Sequence, residues 1–316
     1  MSEKEANYNM KKWLMSTGVL VVALVLMWGF SWAFIKISLQ YSPALIFAGL
    51  RTLIGGLALV VVAAFSGARP GFRQYWHVYV LSALFNAFLF FGLQTVGMVY
   101  LPSGLLAVLV YFQPILSGVL AWIFLSETFS VRKVVGLAFG FIGVAAVSIG
   151  GIEGHTSLLG IVLAICGGLA WAIGTVYSKH VQGRVNMTWL VALQFVIGGI
   201  GLLFSAMFTE SFRSIEWTPM FLISFAYSAF IGVSLSWMTW FTLVHRGEVS
   251  KVTSYVFFVP ILSVIVGVVF LHERFTLYLF VGLLFVTLGI YLVNSRSRNE
   301  RKRAEEAVRT NSSFNL

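Results

Sequence analysis

Apolar residues in this chain run in unbroken blocks of about twenty, cut by Pro, Gly and charged positions, with no sustained polar face within a block. A helix rises about 1.5 Å per residue, so such a block matches the roughly 30 Å hydrocarbon core of a bilayer. The pattern predicts ten spanning helices, near 17–37, 43–65, 76–97, 103–125, 132–150, 157–178, 187–208, 219–244, 250–271 and 276–294. Their connections are short, and the polar tail 295–316 is the one long segment outside them. Lys11 and Lys12 precede the first block as in a signal peptide. That block exceeds the usual apolar length of about 7–15 residues and no A-x-A pattern follows, so it is expected to be retained.

The blocks repeat. WGFSWAFIK, Trp28 to Lys36, returns as WAIGTVYSK, Trp171 to Lys179, at an offset of 143 residues. At that offset LRTLIGGL, Leu50–Leu57, aligns with LQFVIGGI, Leu193–Ile200, and sets Arg51 against Gln194. Further on the offset is 146: YFQPILSGV, Tyr111–Val119, aligns with FFVPILSVI, Phe257–Ile265, Glu127 with Glu273, and Gly136 and Gly143 with Gly282 and Gly289. The chain therefore divides into an N-terminal segment 1–16, a first five-helix repeat 17–150, a connecting loop 151–156, a second repeat 157–294 and a basic tail 295–316. Five is odd, so the second copy enters the membrane from the opposite side. Inverted repeats of this kind recur in secondary transporters, whose halves exchange conformations around a shared midplane site.

Composition narrows the class. Mean hydropathy is +0.91 and charged residues are 10% of the chain, against about 25% in soluble domains. Lys and Arg fall on one side: 17 lie in segments that ten spans place inside, and only Arg213 and Arg274 lie outside. The net charge of +10 is then topology, not a nucleic-acid surface, with both termini cytoplasmic and the chain multi-pass in the cell membrane. The single cysteine, Cys166, allows no internal disulfide and is expected to pack inertly. There is no Asp, every Glu lies in a loop, tail or helix end, and no His falls mid-helix. No catalytic, metal or cofactor constellation is present, which excludes an intramembrane enzyme.

The repeated W-to-K phrase, the Arg near the start of the second helix and the P-x12-E of the fourth and ninth helices resemble the drug/metabolite transporter (DMT) superfamily. Within it the chain is most similar to the EamA family of ten-helix bacterial permeases, over about 17–294. The resemblance implies an all-α membrane protein, ten helices as an inverted five-plus-five repeat around a central cavity. It implies that helices 1, 3, 4, 6, 8 and 9 line the cavity, with 5 and 10 peripheral, and that the chain exports or exchanges amino acids or related metabolites. The heads of helices 4 and 9 depart from symmetry: Glu248 and Lys251 stand where the first copy has Pro102 and Leu105.

Candidate residues follow from position. Arg51 lies roughly 12 Å into its helix, at a depth where a charge faces the bundle interior or a wet cavity. It either attracts a substrate carboxylate or phosphate, or ties neighbouring backbone carbonyls or snorkels outward. Lys36 and Lys179 end their helices, as snorkelling anchors or as charges at opposite mouths of a pathway. Trp28, Trp32, Tyr111, Trp171, Tyr177, Trp237, Trp240 and Tyr255 are candidate aromatic cavity wall, or plain packing. Gln113 is the polar candidate, placed beside Pro114, which is expected to kink helix 4 as Pro260 kinks helix 9. Trp28, Tyr111, Gln113, Trp171 and Tyr255 are expected to converge on one central space with Arg51 behind it or at its outer mouth. Glu127 and Glu273 are loop ion pairs or gate latches to Arg132, Lys133 or Arg274. The expected partners are a small-molecule substrate and membrane lipids, not nucleic acid, and the oligomeric state is left open, a monomer being compatible with the pattern. A proton-coupled multidrug exporter and a channel-like facilitator stay open as other readings, the first disfavoured by the lack of a mid-membrane carboxylate.

Overall fold

The computed structural model describes residues 16–101, 106, 109–127, 130–149, 157–259, 261–262 and 277–294. The described residues are helical, with one isolated bridge between Gln182 and Val185. In chain order the helices are α1 (Thr17–Ser38), α2 (Ala44–Phe65), α3 (Phe72–Tyr100), α4 (Gln113–Leu125), α5 (Val131–Ile149), α6 (Leu158–His180), α7 (Met187–Ala206), α8 (Pro219–Arg246), α9 (Val249–Ser254) and α10 (Leu277–Asn294). Six of them, α1, α2, α3, α6, α7 and α8, are long and apolar enough to cross a membrane. Four of the six starts are chemically marked. Ser16, Ser157, Asn186 and Thr218 each accept a hydrogen bond from the backbone N–H three residues on, satisfying a donor that the helix leaves open.

Large apolar side chains cover the outside: Phe65, Val131, Leu158, Phe204 and Phe208 are all exposed. So much apolar surface is tolerable only against lipid. Cys166 is on that surface too, not packed inside as its small neighbours suggest. Gly160, Ala164, Gly168 and Ala172 form a small-residue stripe on α6. Gly160 lies against Leu101 and Gly168 against the Val110 carbonyl, so the stripe seats α6 on the first half.

Contacts between the halves come in exchanged pairs. A Cβ built on Gly56 of α2 would sit 2.7 Å from the Val196 nitrogen of α7, and one on Gly199 would sit 2.6 Å from the Leu53 nitrogen. Adding 143 to Gly56 and Leu53 gives Gly199 and Val196, so these are one contact seen from both copies. Gly55 against Ala229 and Val233 is likewise mated with Gly198 against Ala83 and Ala87. In the third helix of each half a π-helical stretch interrupts the α-helix, Leu84–Leu89 in α3 and Tyr227–Leu235 in α8. Such stretches mark functional sites often enough to direct attention there. Around Pro114 the chain does more than bend: residues 111 and 112 form a turn and α4 starts anew at Gln113, with Pro114 in its first positions, where a missing N–H costs nothing. Pro260 and Glu273 lie outside the described residues.

Candidate functional site

Four tryptophans meet at the centre. The Trp28 ring lies 5.4 Å from Trp171, 5.6 Å from Trp237 and 5.5 Å from Trp240, centroid to centroid. Its indole N–H donates to the Ser236 hydroxyl at 2.8 Å. Trp28 and Trp171 are the same residue of the two copies, and so are Phe91 and Trp237, whose rings are 5.5 Å apart. Residues that touch their own repeat mates must lie near the axis relating the halves. These rings are edge-on or tilted, the arrangement that the aromatic quadrupole favours.

On one side of this cluster is a cavity of about 40 Å³, walled by Trp28, Trp32, Tyr111, Trp171 and Trp237 together with Phe90, Phe91, Gln94, Ser31, Gly232 and Arg51. That is room for a few waters, so the site is contracted and a solute must displace side chains to enter. Trp32 donates to the Tyr111 hydroxyl at 3.3 Å and ties α1 to the segment before α4. Arg51 does not snorkel: it is 2% exposed. Its guanidinium carbon stands 4.7 Å from the Phe91 ring centroid and 5.3 Å from that of Phe47, so the two rings hold its position. Its Nε and Nη2 have no hydrogen-bond partner among the described residues. Gln94 Oε1 and the Trp171 indole N–H, also on the cavity wall, are unpaired as well.

On the other side of the cluster the bundle is sealed. The Asn86 amide donates to Gln194 Oε1 at 3.2 Å and to the Ser178 hydroxyl at 3.3 Å, and Ser82 donates to Gln194 Oε1 at 2.6 Å. All four residues are fully buried. Beyond them, at the bundle end holding Lys133, charged groups cross between helices. Glu127 accepts from the Val249 and Ser250 backbone N–H groups and the Ser250 hydroxyl, closing the N-terminus of α9. A carboxylate there meets the open donors and the positive end of the helix dipole. Glu248 holds Lys133 at 2.5 Å and Lys251 at 2.6 Å, while Lys179 donates to the His245 carbonyl at 2.9 Å. Burial would raise the Glu248 carboxyl, but the hydrogen bonds and charges of Lys133 and Lys251 outweigh it and hold the group below the ordinary carboxylate range. A depressed carboxyl adds stability above its unfolded value and loses it as pH falls through the folded one, so this latch stays intact through neutral pH.

Replacing Glu127 with Gln removes the charge and at least one of three hydrogen bonds at α9. The expected cost is about 1 kcal/mol of closure, roughly a fivefold rise in the open population. In a Cys166→Ser background, alkylation of Thr175→Cys by a water-soluble maleimide should accelerate by that factor. An unchanged rate would show that Glu127 does not hold this end shut.

The structure thus brings together Trp28, Trp32, Tyr111, Trp171, Trp237 and Arg51. Gln113 is elsewhere: it is fully buried and donates to Ser117 one turn along its own helix, so it is off the cavity wall. Tyr177 packs with Val78, Tyr79 and Trp189 towards the Lys133 end, and Tyr255 against the main core. Lys36 is exposed, whereas its mate Lys179 is engaged between helices. Phe90, Phe91 and the pairing of Asn86 with Gln194 were not singled out from sequence. Among 29 Phe, only the repeat mating of Phe91 with Trp237 could have marked one.

A family model for EamA-like transporters matches residues 15–149 and again 158–295. The uncharacterized transporter YvbV of Bacillus subtilis (strain 168) is 46% identical over 288 residues, covering 91% of this chain and 94% of that protein. A protein of Escherichia coli (strain K12) named "Probable amino-acid metabolite efflux pump" is 26% identical, covering 87% of this chain and 93% of its own length. A solved crystal structure matches with a TM-score of 0.76 at 18% identity, over 87% of this chain and 95% of the other, which speaks for the fold alone.

Proposed function

Because the chain belongs to the EamA-like transporter family, we propose that it is a secondary transporter that moves amino acids or related small metabolites across the cell membrane by alternating access. Ten crossings arranged as inverted halves of five, with both termini cytoplasmic, is the architecture on which this rests. The observation that carries it is the pairing of repeat mates at the centre, Trp28 with Trp171 and Phe91 with Trp237, with space on one side and a seal on the other. Two halves that can trade these arrangements would open a central site alternately to each face. The name of the Escherichia coli relative supports amino-acid metabolites as cargo, and export as the direction.

Purified protein in liposomes, tested with a panel of radiolabelled L-amino acids, checks the reading. Uptake of at least one should saturate and should accelerate when the same solute is loaded inside. Linear uptake without acceleration would make the chain a channel-like facilitator. Flux is also expected to persist when the pH gradient is collapsed at constant membrane potential, since no carboxylate lies at depth. Loss of flux would reveal a proton path, and Glu127 and Glu273 would be the groups to test.

A further inference from the structure

The sealed side and the open side are the same place in the two copies. Gln194, Ser178, Ser82 and Asn86 fill the seal, and the repeat offsets of 143 and 146 map them onto Arg51, Ile35, Ser228 and Gly232. Three of those four line the cavity. Neighbours match as well: Asn86 Oδ1 crowds Gly174 in one half, and Ser31 Oγ crowds Gly232 in the other, with Ser31 and Gly174 repeat mates. In the sealed half, the amide of Asn86 occupies the space and donates to the residue at the Arg51-equivalent position. In the open half that residue is itself the donor, and Gly232, with the Ser31 hydroxyl against it, stands where the other half has the Asn86 amide.

We infer that Arg51 is the anchor for a carboxylate on the transported molecule, which takes the volume that the Asn86 side chain fills in the other half. This deepens the transporter reading and rests on it for the word transported. The guanidinium carbon stands over the Phe47 and Phe91 rings, and the groups left without a partner among the described residues are the N–H donors Nε and Nη2. A planar carboxylate takes such donors as a fork. Among the described residues Arg51 is the one cation on the cavity wall, and a single cation neutralises a single negative charge, which favours a carboxylate over a phosphate dianion. The aromatic wall of Trp28, Trp32, Phe90 and Tyr111 accepts an apolar or planar body beside that charge. A buried cation without a partner is costly, and the missing acceptor is what the cargo brings.

The test is direct binding to the purified full chain, read as tryptophan fluorescence excited at a wavelength that phenyl groups do not absorb. The probes are 3-phenylpropanoate, 2-phenylethylamine and inorganic phosphate. The acid should change emission saturably with millimolar or better affinity, the amine should not, and phosphate should not displace the acid. Arg51→Gln should weaken the acid at least tenfold and Arg51→Lys less. Gly232→Asp places an internal carboxylate on the cavity wall that Arg51 shares, its Cβ pushing aside the Ser31 hydroxyl that stands 2.7 Å from the built position. It should abolish acid binding, which keeps the idea testable should Arg51→Gln fold poorly. Equal binding of acid and amine, displacement by phosphate, no saturable acid binding, or normal acid binding in Gly232→Asp would each overturn the assignment. Binding without flux in liposomes would instead sink the transporter reading and leave the site standing.

Discussion

Gly199→Leu is expected to remove most of the folded protein from the membrane. A Cβ at this position meets the Leu53 nitrogen at 2.6 Å and its Cα at 2.8 Å, and backbone cannot rotate aside as a side chain can. Nor can α2 retreat, because Gly55 on its adjoining face already stands 2.7 Å, by the same construction, from the Ala229 carbonyl of α8. Overpacking in a rigid core costs about 1–3 kcal/mol, and separating two helices that rely on small residues to approach adds lost van der Waals contact along their length. A loss of that size lowers cellular abundance several-fold. Gly56→Leu, the repeat mate, should behave the same way. Gly18→Leu is the control: nothing lies within 4 Å of its built Cβ, so its abundance should stay normal. Quantitative blotting of membrane fractions reads all three, and normal levels of Gly199→Leu would show that the interface of α2 with α7 is not the close one described.

How this was written in the sequence is instructive. The Gly55-Gly56 and Gly198-Gly199 pairs were visible because repetition itself marks them, and the reciprocal contacts are the physical reason that both copies keep them. The repeated Trp was visible for the same reason, and both copies do reach the axis. What a one-dimensional reading misses is rotation about a helix. Gln113 beside a proline looked like a site residue, yet the break at residues 111 and 112 turns Tyr111 to the cavity and Gln113 onto Ser117. The π-helical stretches in α3 and α8 shift register in a way that no count of 3.6 residues per turn anticipates, and they present Asn86 and Gly232 at equivalent places. Arg51 was legible as a costly charge at depth, but helix 2 was not expected to be cavity wall. Its position there depends on packing against Phe47 and Phe91.

Trp28→Ala should reduce transport per folded molecule to background, and here the structure changes the expectation for abundance. Read from sequence, a cavity-wall residue need not support the fold. In the structure Trp28 is 7% exposed, contacts three other tryptophans and donates to Ser236, so truncation opens a void in the centre. Removing a buried Trp costs about 3–5 kcal/mol, and the membrane level should therefore fall as well. Trp28→Phe separates the two roles. It keeps a ring against Trp171 and Trp237, loses the bond to Ser236, worth about 1 kcal/mol, and the volume of the pyrrole ring, and should hold abundance well above that of Trp28→Ala with partial flux. Trp171→Ala, at the repeat-equivalent position, should match Trp28→Ala, because the proposed exchange of conformations between the halves would use both rings in turn. Flux in liposomes normalised to protein content is the measurement. Normal flux per molecule in Trp28→Ala would mean that solutes pass without meeting the aromatic centre, and the central site would have to be given up while the fold stood.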